Sequence, residues 1–186
     1  MPRITLVGYR GTGKSTVAAL LAARLGCGWI DADAVLEERL GTTIAALARD
    51  RGERAFRDAE STILRDLLAS CPGVLATGGG VVLRPENREL LRGAGRPVAW
   101  LTAAAGVIRG RLAADPLTRD RRPALAGDAA AGGDPLAEVD AALADREPLY
   151  REVADVAFDT TADPPERVAE RIAAWLDSDP RAGGRP

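Results

Sequence analysis

The chain has 186 residues, 46% apolar and 28% charged, which suits a single globular domain with a full hydrophobic core. Its formal net charge of −2 gives no global positive field for nucleic acid or anionic membranes, and no apolar run approaches the length of a membrane span. There is no histidine, so a histidine base, nucleophile or metal ligand is excluded, and the two cysteines, Cys27 and Cys71, lack metal-ligand spacing and read as inert thiols of a reducing cytoplasm.

In chain order, Met1-Pro2-Arg3 runs without a signal-peptide layout into Ile4–Val7, which reads as a buried strand. Apolar Val17, Leu20, Leu21 and Leu25 give Lys14–Leu25 a helical period that Gly26 stops. Trp29-Ile30 is a short strand before Asp31. Ala34–Leu40 reads as a helix closed by Gly41, and Thr43 caps a helix ending at Gly52. From Glu53 to Leu68, Phe56, Ile63, Leu64 and Leu67 share one helical face. Val74–Ala76 and Pro97–Leu101 read as strands, with Gly106–Leu112 a helix after them. Leu136, Val139 and Leu143 open a helix that runs to Val153. Val156–Phe158 is the last strand and Pro164–Leu176 the last helix, with proline near its first turn and Val168, Ile172 and Trp175 facing inward. Strands alternating with helices imply an α/β fold whose parallel sheet is covered on both faces. The Gly/Ala-rich stretch at 126–135 reads as a flexible loop, residues 1–176 as one domain, and 177–186 as a disordered tail.

Gly8-Tyr9-Arg10-Gly11-Thr12-Gly13-Lys14-Ser15 fits the phosphate-loop pattern G-x-x-x-x-G-K-[ST]. Glycines let the backbone wrap an anion with its N–H groups turned inward, and a helix starting near Lys14 aims its positive end at the same place. Lys14 is expected on the β- and γ-phosphates and the Ser15 hydroxyl on Mg²⁺, with Gly11, Thr12, Gly13 and Thr16 completing the cradle. The flanking strand and amphipathic helix make this a strong signal for nucleotide binding, though it does not identify an acceptor.

Four further features follow the loop. Asp31-Ala32-Asp33 ends a short strand, and alternation along an extended segment puts both carboxylates on one side; the plainer reading is a helix cap, a role open to Asp33. Arg57 and Glu60 lie three residues apart on a helix, which by itself suggests a surface ion pair. Gly78-Gly79-Gly80 follows a buried strand and permits a close backbone approach to a ligand. Arg146 stands near the end of a helix, where a cation complements the dipole.

In this order behind a phosphate loop, these features resemble the shikimate kinase family from about Ile4 to about Leu176. The similarity covers residues 8–16 (GYRGTGKST), 31–33 (DAD), 52–60 (GERAFRDAE), 77–80 (TGGG), 121–125 (RRPAL) and 146–155 (REPLYREVAD). The resemblance implies a three-layer P-loop kinase fold with a five-stranded parallel sheet and a mobile lid at about 113–126. It implies transfer of the ATP γ-phosphoryl group to the 3-hydroxyl of shikimate by a cytoplasmic monomer with no nucleic-acid or membrane partner. By the same resemblance Asp33 holds the acceptor hydroxyls, Arg57 and Arg146 clamp its carboxylate, and Gly79 or Gly80 makes a backbone contact. Asp31 stands near Mg²⁺, Arg122 (or its neighbour Arg121) reaches the phosphates from the lid, and Arg111 stacks on adenine with Pro164 or Pro165 opposite. The chain departs from the pattern at Ala48, where an aromatic is usual. It also has no separate acidic residue after Val74-Leu75, a role the resemblance assigns in part to Asp31. A small-sugar-acid kinase such as gluconate kinase, or a nucleotide-binding homologue without catalysis, would share the loop. The Arg57/Glu60 and triple-glycine pair favours shikimate.

Overall fold

A computed structural model describes residues 1–114 and 139–178. Within them five parallel strands form one sheet in the order β2-β3-β1-β4-β5: β1 (Ile4–Val7), β2 (Trp29–Asp31), β3 (Val74–Ala76), β4 (Val98–Thr102) and β5 (Val156–Asp159). The central strands are apolar on both sides because both faces are covered. Ile4, Leu6, Val74, Ala76, Ala99 and Leu101 pack with α1 (Lys14–Leu25) and α7 (Pro165–Ser178) in one core cluster. Val7, Leu75 and Val98 turn the other way, into a core shared with α3 (Ile44–Ser70), α4 (Pro85–Ala94) and α6 (Val139–Val153). The expected five-stranded, two-sided sheet is therefore the observed one.

The parallel register carries β1, β2 and β3 to a common end. There the chain leaves β1 into the phosphate loop, β2 into α2 (Ala32–Leu40) and β3 into the triple glycine. Three loops far apart in sequence are thus brought to one rim of the sheet, where ligands of open parallel sheets bind.

Several local readings change. The helix expected from Ala34 begins at Ala32. Asp31 is its cap and accepts hydrogen bonds from the backbone N–H groups of Asp33 (2.9 Å) and Ala34 (3.3 Å). Asp33 is therefore helical, and neither caps α2 nor alternates with Asp31 along a strand. Thr43 does cap a helix, through a 3.1 Å bond from the Ala46 N–H. Gly52 ends that helical segment as expected: it takes φ 83° and ψ 161°, outside the helical region, and a second helical segment of α3 follows it to Ser70. A proline-started helix at 85–94, preceded by a 3₁₀ turn at Val81–Leu83, was not anticipated. The last helix takes in Asp177 and Ser178, the first two residues assigned to the tail, and Ala113 and Ala114 belong to α5 (Ala105–Ala114) rather than to a lid. The other residues expected in a lid, Arg121 and Arg122 among them, the stretch at 126–135 expected to be a loop, and residues 179–186 lie outside the described residues.

Candidate active site

The phosphate loop is built by its glycines. Gly11 and Gly13 take φ 79° and 88°, and Gly13 is the N-cap of α1, so the loop closes directly onto a helix N-terminus. Thr12 fixes the loop from within through its hydroxyl, which donates to the Tyr9 carbonyl at 2.7 Å. Lys14 is buried in the first turn of α1, and its Nζ donates to the carbonyls of Gly8 (2.8 Å) and Tyr9 (3.0 Å). Ser15 and Thr16 are exposed on the same turn, and the Ser15 hydroxyl donates to Asp31 Oδ2. A hydroxyl and a carboxylate side by side at a helix N-terminus are the hard oxygen donors that Mg²⁺ prefers, so these two residues fit that ion. Arg111 of α5 donates to the Gly11 carbonyl (3.2 Å) and to the Thr160 carbonyl (2.7 Å), bridging the phosphate loop to the loop after β5. Pro164 stands at the entrance of α7, its carbonyl accepting from Arg167 and Val168.

Beside this loop the three glycines pack against three different walls. A β-carbon on Gly78 would stand 2.7 Å from Asp33 Oδ1 and 2.9 Å from Glu60 Oε1. On Gly79 it would stand 3.0 Å from the Arg10 backbone nitrogen, and on Gly80 only 2.2 Å from Arg57 Nη1. The missing side chains are thus what allow Asp33, Glu60, the phosphate loop and Arg57 to converge on one turn. Arg57 and Glu60 are each 6% exposed and joined at 2.9 Å, so the expected surface ion pair is a buried one. Glu53 adds a longer contact to Arg57 at 3.4 Å, and the guanidinium lies 4.8 Å from the centre of the Phe56 ring. Burial pushes the Glu60 carboxyl above the ordinary carboxylate value, with nearby Asp33 adding to the shift and Arg57 opposing it.

Arg146 lies in the interior of α6 and is 2% exposed, so it does not act as a complement to the helix dipole. Its guanidinium stands 5.3 Å from the centre of the Tyr9 ring, and Tyr150 follows it one turn later on the same helix. Burial lowers its pKa, yet a guanidinium keeps its proton throughout the working range. Tyr150 in turn donates to the Gly79 carbonyl at 2.5 Å. A crevice of about 370 Å³ lies behind Tyr9 and Tyr150, between α6 and the ends of β4 and β5, and holds none of the expected acceptor residues.

Asp33, Arg57, Gly79, Gly80 and Arg146 are therefore gathered around one turn beside Lys14. The site also contains residues to which sequence reasoning gave no individual role in it: Tyr9, Tyr150 and Thr160. Only Tyr150 carried a usable signal, its position one helical turn after Arg146.

The sequence model of the family described as "Shikimate kinase" matches residues 10–177. A shikimate kinase of Nitratidesulfovibrio vulgaris is 49% identical over 152 residues, covering 82% of this chain and 83% of the relative. One from Halorhodospira halophila is 42% identical, covering 96% of this chain and 95% of its own. A solved shikimate kinase from Acinetobacter baumannii, in complex with shikimate, superposes with a TM-score of 0.83 at 34% identity, covering 94% of this chain and 92% of that one.

Proposed function

The chain belongs to the shikimate kinase family, and from that membership we propose that it transfers the γ-phosphoryl group of ATP to the 3-hydroxyl of shikimate. The observation that carries this reading is the convergence of Asp33, Arg57 and Arg146 on the Gly78–Gly80 turn, directly beside the phosphate loop. A small acceptor with one carboxylate and vicinal hydroxyls needs planar cationic donors at one end and an acidic acceptor at the other. Arg57 and Arg146 supply the first, Asp33 the second, and the backbone of Gly79 or Gly80 adds a donor.

Phosphoryl transfer passes through a loose transition state, so the chain's work is positioning and charge neutralisation. The loop N–H groups and the N-terminus of α1 hold the phosphates. Lys14, which here rests on the carbonyls of Gly8 and Tyr9, turns to the β- and γ-phosphates. Asp33 orients the hydroxyl in line with the γ-phosphorus and accepts its proton late in the transfer. Ser15 and Asp31 hold Mg²⁺, which when bound supplies positive charge beside the transferring group. Arg122 adds charge from the lid, and Arg111 with Pro164 flanks the adenine. The enzyme works as a monomer in a reducing cytoplasm, consistent with its two free cysteines. Incubation with shikimate and MgATP, followed by phosphorus and proton NMR of the product, tests the reading. A phosphate on the 3-hydroxyl is expected; phosphate on another hydroxyl, or release of inorganic phosphate alone, would contradict it.

A further inference from the structure

We propose that the Tyr150 hydroxyl is a positioning group of the acceptor site, relaying the placement of α6, one turn from the Arg146 clamp, to the glycine turn through its hydrogen bond to the Gly79 carbonyl. The proposal rests on the acceptor roles given above to Arg146 and Gly79. Tyr150 is 1% exposed, and its ring stacks on Trp100 with centroids 5.8 Å apart and planes 18° apart. Its hydroxyl donates to the Gly79 carbonyl at 2.5 Å. The polarity of this bond is forced. A carbonyl can only accept, so the phenol must be protonated and turned toward Gly79. Burial supports that state by pushing the Tyr150 pKa above the ordinary phenol value.

The relay matters because of what it restrains. The peptide joining Gly79 to Gly80 is trans, so holding the Gly79 carbonyl on Tyr150 turns the Gly80 N–H the opposite way. Two successive glycines have no side chains to keep that peptide from rotating, and the Tyr150 hydrogen bond supplies the missing restraint. Gly80 in turn lies against Arg57. One hydroxyl thus ties the helix that carries the near clamp, Arg146, to the backbone turn on which the far clamp, Arg57, is seated.

Tyr150→Phe keeps the ring and its stacking on Trp100 and removes only the hydroxyl. The expected result is a rise of about tenfold in the KM for shikimate, the worth of one hydrogen bond, with the KM for ATP within about twofold of the parent. The Arg146→Lys substitution should cost less in the Tyr150→Phe background than in the parent, because the two lie one helical turn apart and serve one acceptor site. Equal changes in both Michaelis constants, no change in either, or strict additivity would overturn the proposal. A second measurement needs no loss of the hydroxyl. The chain has two tyrosines, so parent protein carrying meta-fluorotyrosine gives two fluorine signals, assigned with Tyr9→Phe. The Tyr150 signal should move on titration with shikimate and stay in place with MgADP alone; a signal indifferent to shikimate would overturn the relay. Should the parent itself fail to bind or phosphorylate shikimate, the acceptor reading falls first and the relay with it. Parent turnover with an unaffected Tyr150→Phe refutes the relay alone.

Discussion

Replacing Gly80 with alanine is the sharpest probe of how the acceptor site is assembled. Gly80 has φ −97° and ψ 3°, a conformation open to alanine, so the turn itself need not change. The new methyl group would instead begin 2.2 Å from Arg57 Nη1, where contacts under 3.0 Å do not occur, and the guanidinium must retreat by at least about 0.8 Å. It has little room to do so. Glu60 holds Nη1 at 2.9 Å, Glu53 flanks Nε and Nη2 at 3.4 Å, and the Phe56 ring lies at 4.8 Å. Breaking a buried pair outright costs about 3–5 kcal/mol, and a displaced pair should cost less, about 1–2 kcal/mol of stability. The functional loss is larger, because misplacing a positioning group by about 1 Å lowers rates by about 100-fold. We therefore expect Gly80→Ala to reduce kcat/KM for shikimate by about 10- to 100-fold while the KM for ATP stays within about twofold. A coupled assay of ADP release at varied shikimate and varied ATP measures both. A Gly80→Ala enzyme with the parent's kcat/KM for shikimate would refute the claim that this glycine seats Arg57.

Lys14→Met should fold normally and lose about 100- to 1000-fold in kcat, as when a charge aimed at the reacting group is removed; steady-state turnover of the purified variant decides it. Asp33→Ala should lose both turnover and shikimate affinity, whereas Asp33→Asn keeps an acceptor oxygen and should bind shikimate better, with intermediate turnover. If Asn and Ala are equally inactive while Asn binds normally, proton transfer rather than orientation is the role of Asp33. Because the folded Glu60 pKa lies above 4.5, the native state holds its proton over a window in which the unfolded state has lost it, and stability falls as pH rises through that window. The amide introduced by Glu60→Gln cannot titrate, so the Tm of that variant minus that of the parent should grow as pH rises above 4.5; a flat difference in thermal scans contradicts the buried assignment. Gly93 lies in α4 with nothing near its missing β-carbon, so Gly93→Ala should raise Tm by about 2–4 °C, the helix-propensity gain of a solvent-facing site.

The phosphate loop and the sheet were legible because their signals are local. Gly8 to Ser15 is contiguous, and strands such as Ile4–Val7 are buried throughout and mostly apolar because both faces are covered. Helix α4 was not legible. Pro85, Glu86 and Arg92 are sound terminal signals, but its apolar face is small, with only Asn87 and Leu91 buried. Gly52 was legible as a helix end, because φ 83° and ψ 161° are open to glycine and incompatible with a helix. The burial of Arg57 and Glu60 was not legible. Their spacing is that of any exposed pair, and their burial follows from packing against a glycine turn that lies in a separate part of the chain. The local reading of Asp33 was incomplete, since the cap is Asp31 and Asp33 is held one step inside the helix.

The central claim is that the Asp33, Arg57 and Arg146 constellation selects shikimate as the acceptor. Its most direct test is kcat/KM, by coupled ADP release, for shikimate, gluconate and the nucleoside monophosphates under one set of conditions. A site built to pair each polar group of its substrate rejects analogues that leave those groups unpaired, and we predict a preference for shikimate of about 10⁴-fold. Gluconate or a nucleoside monophosphate turned over as efficiently as shikimate, or no ADP release with shikimate at all, would contradict it.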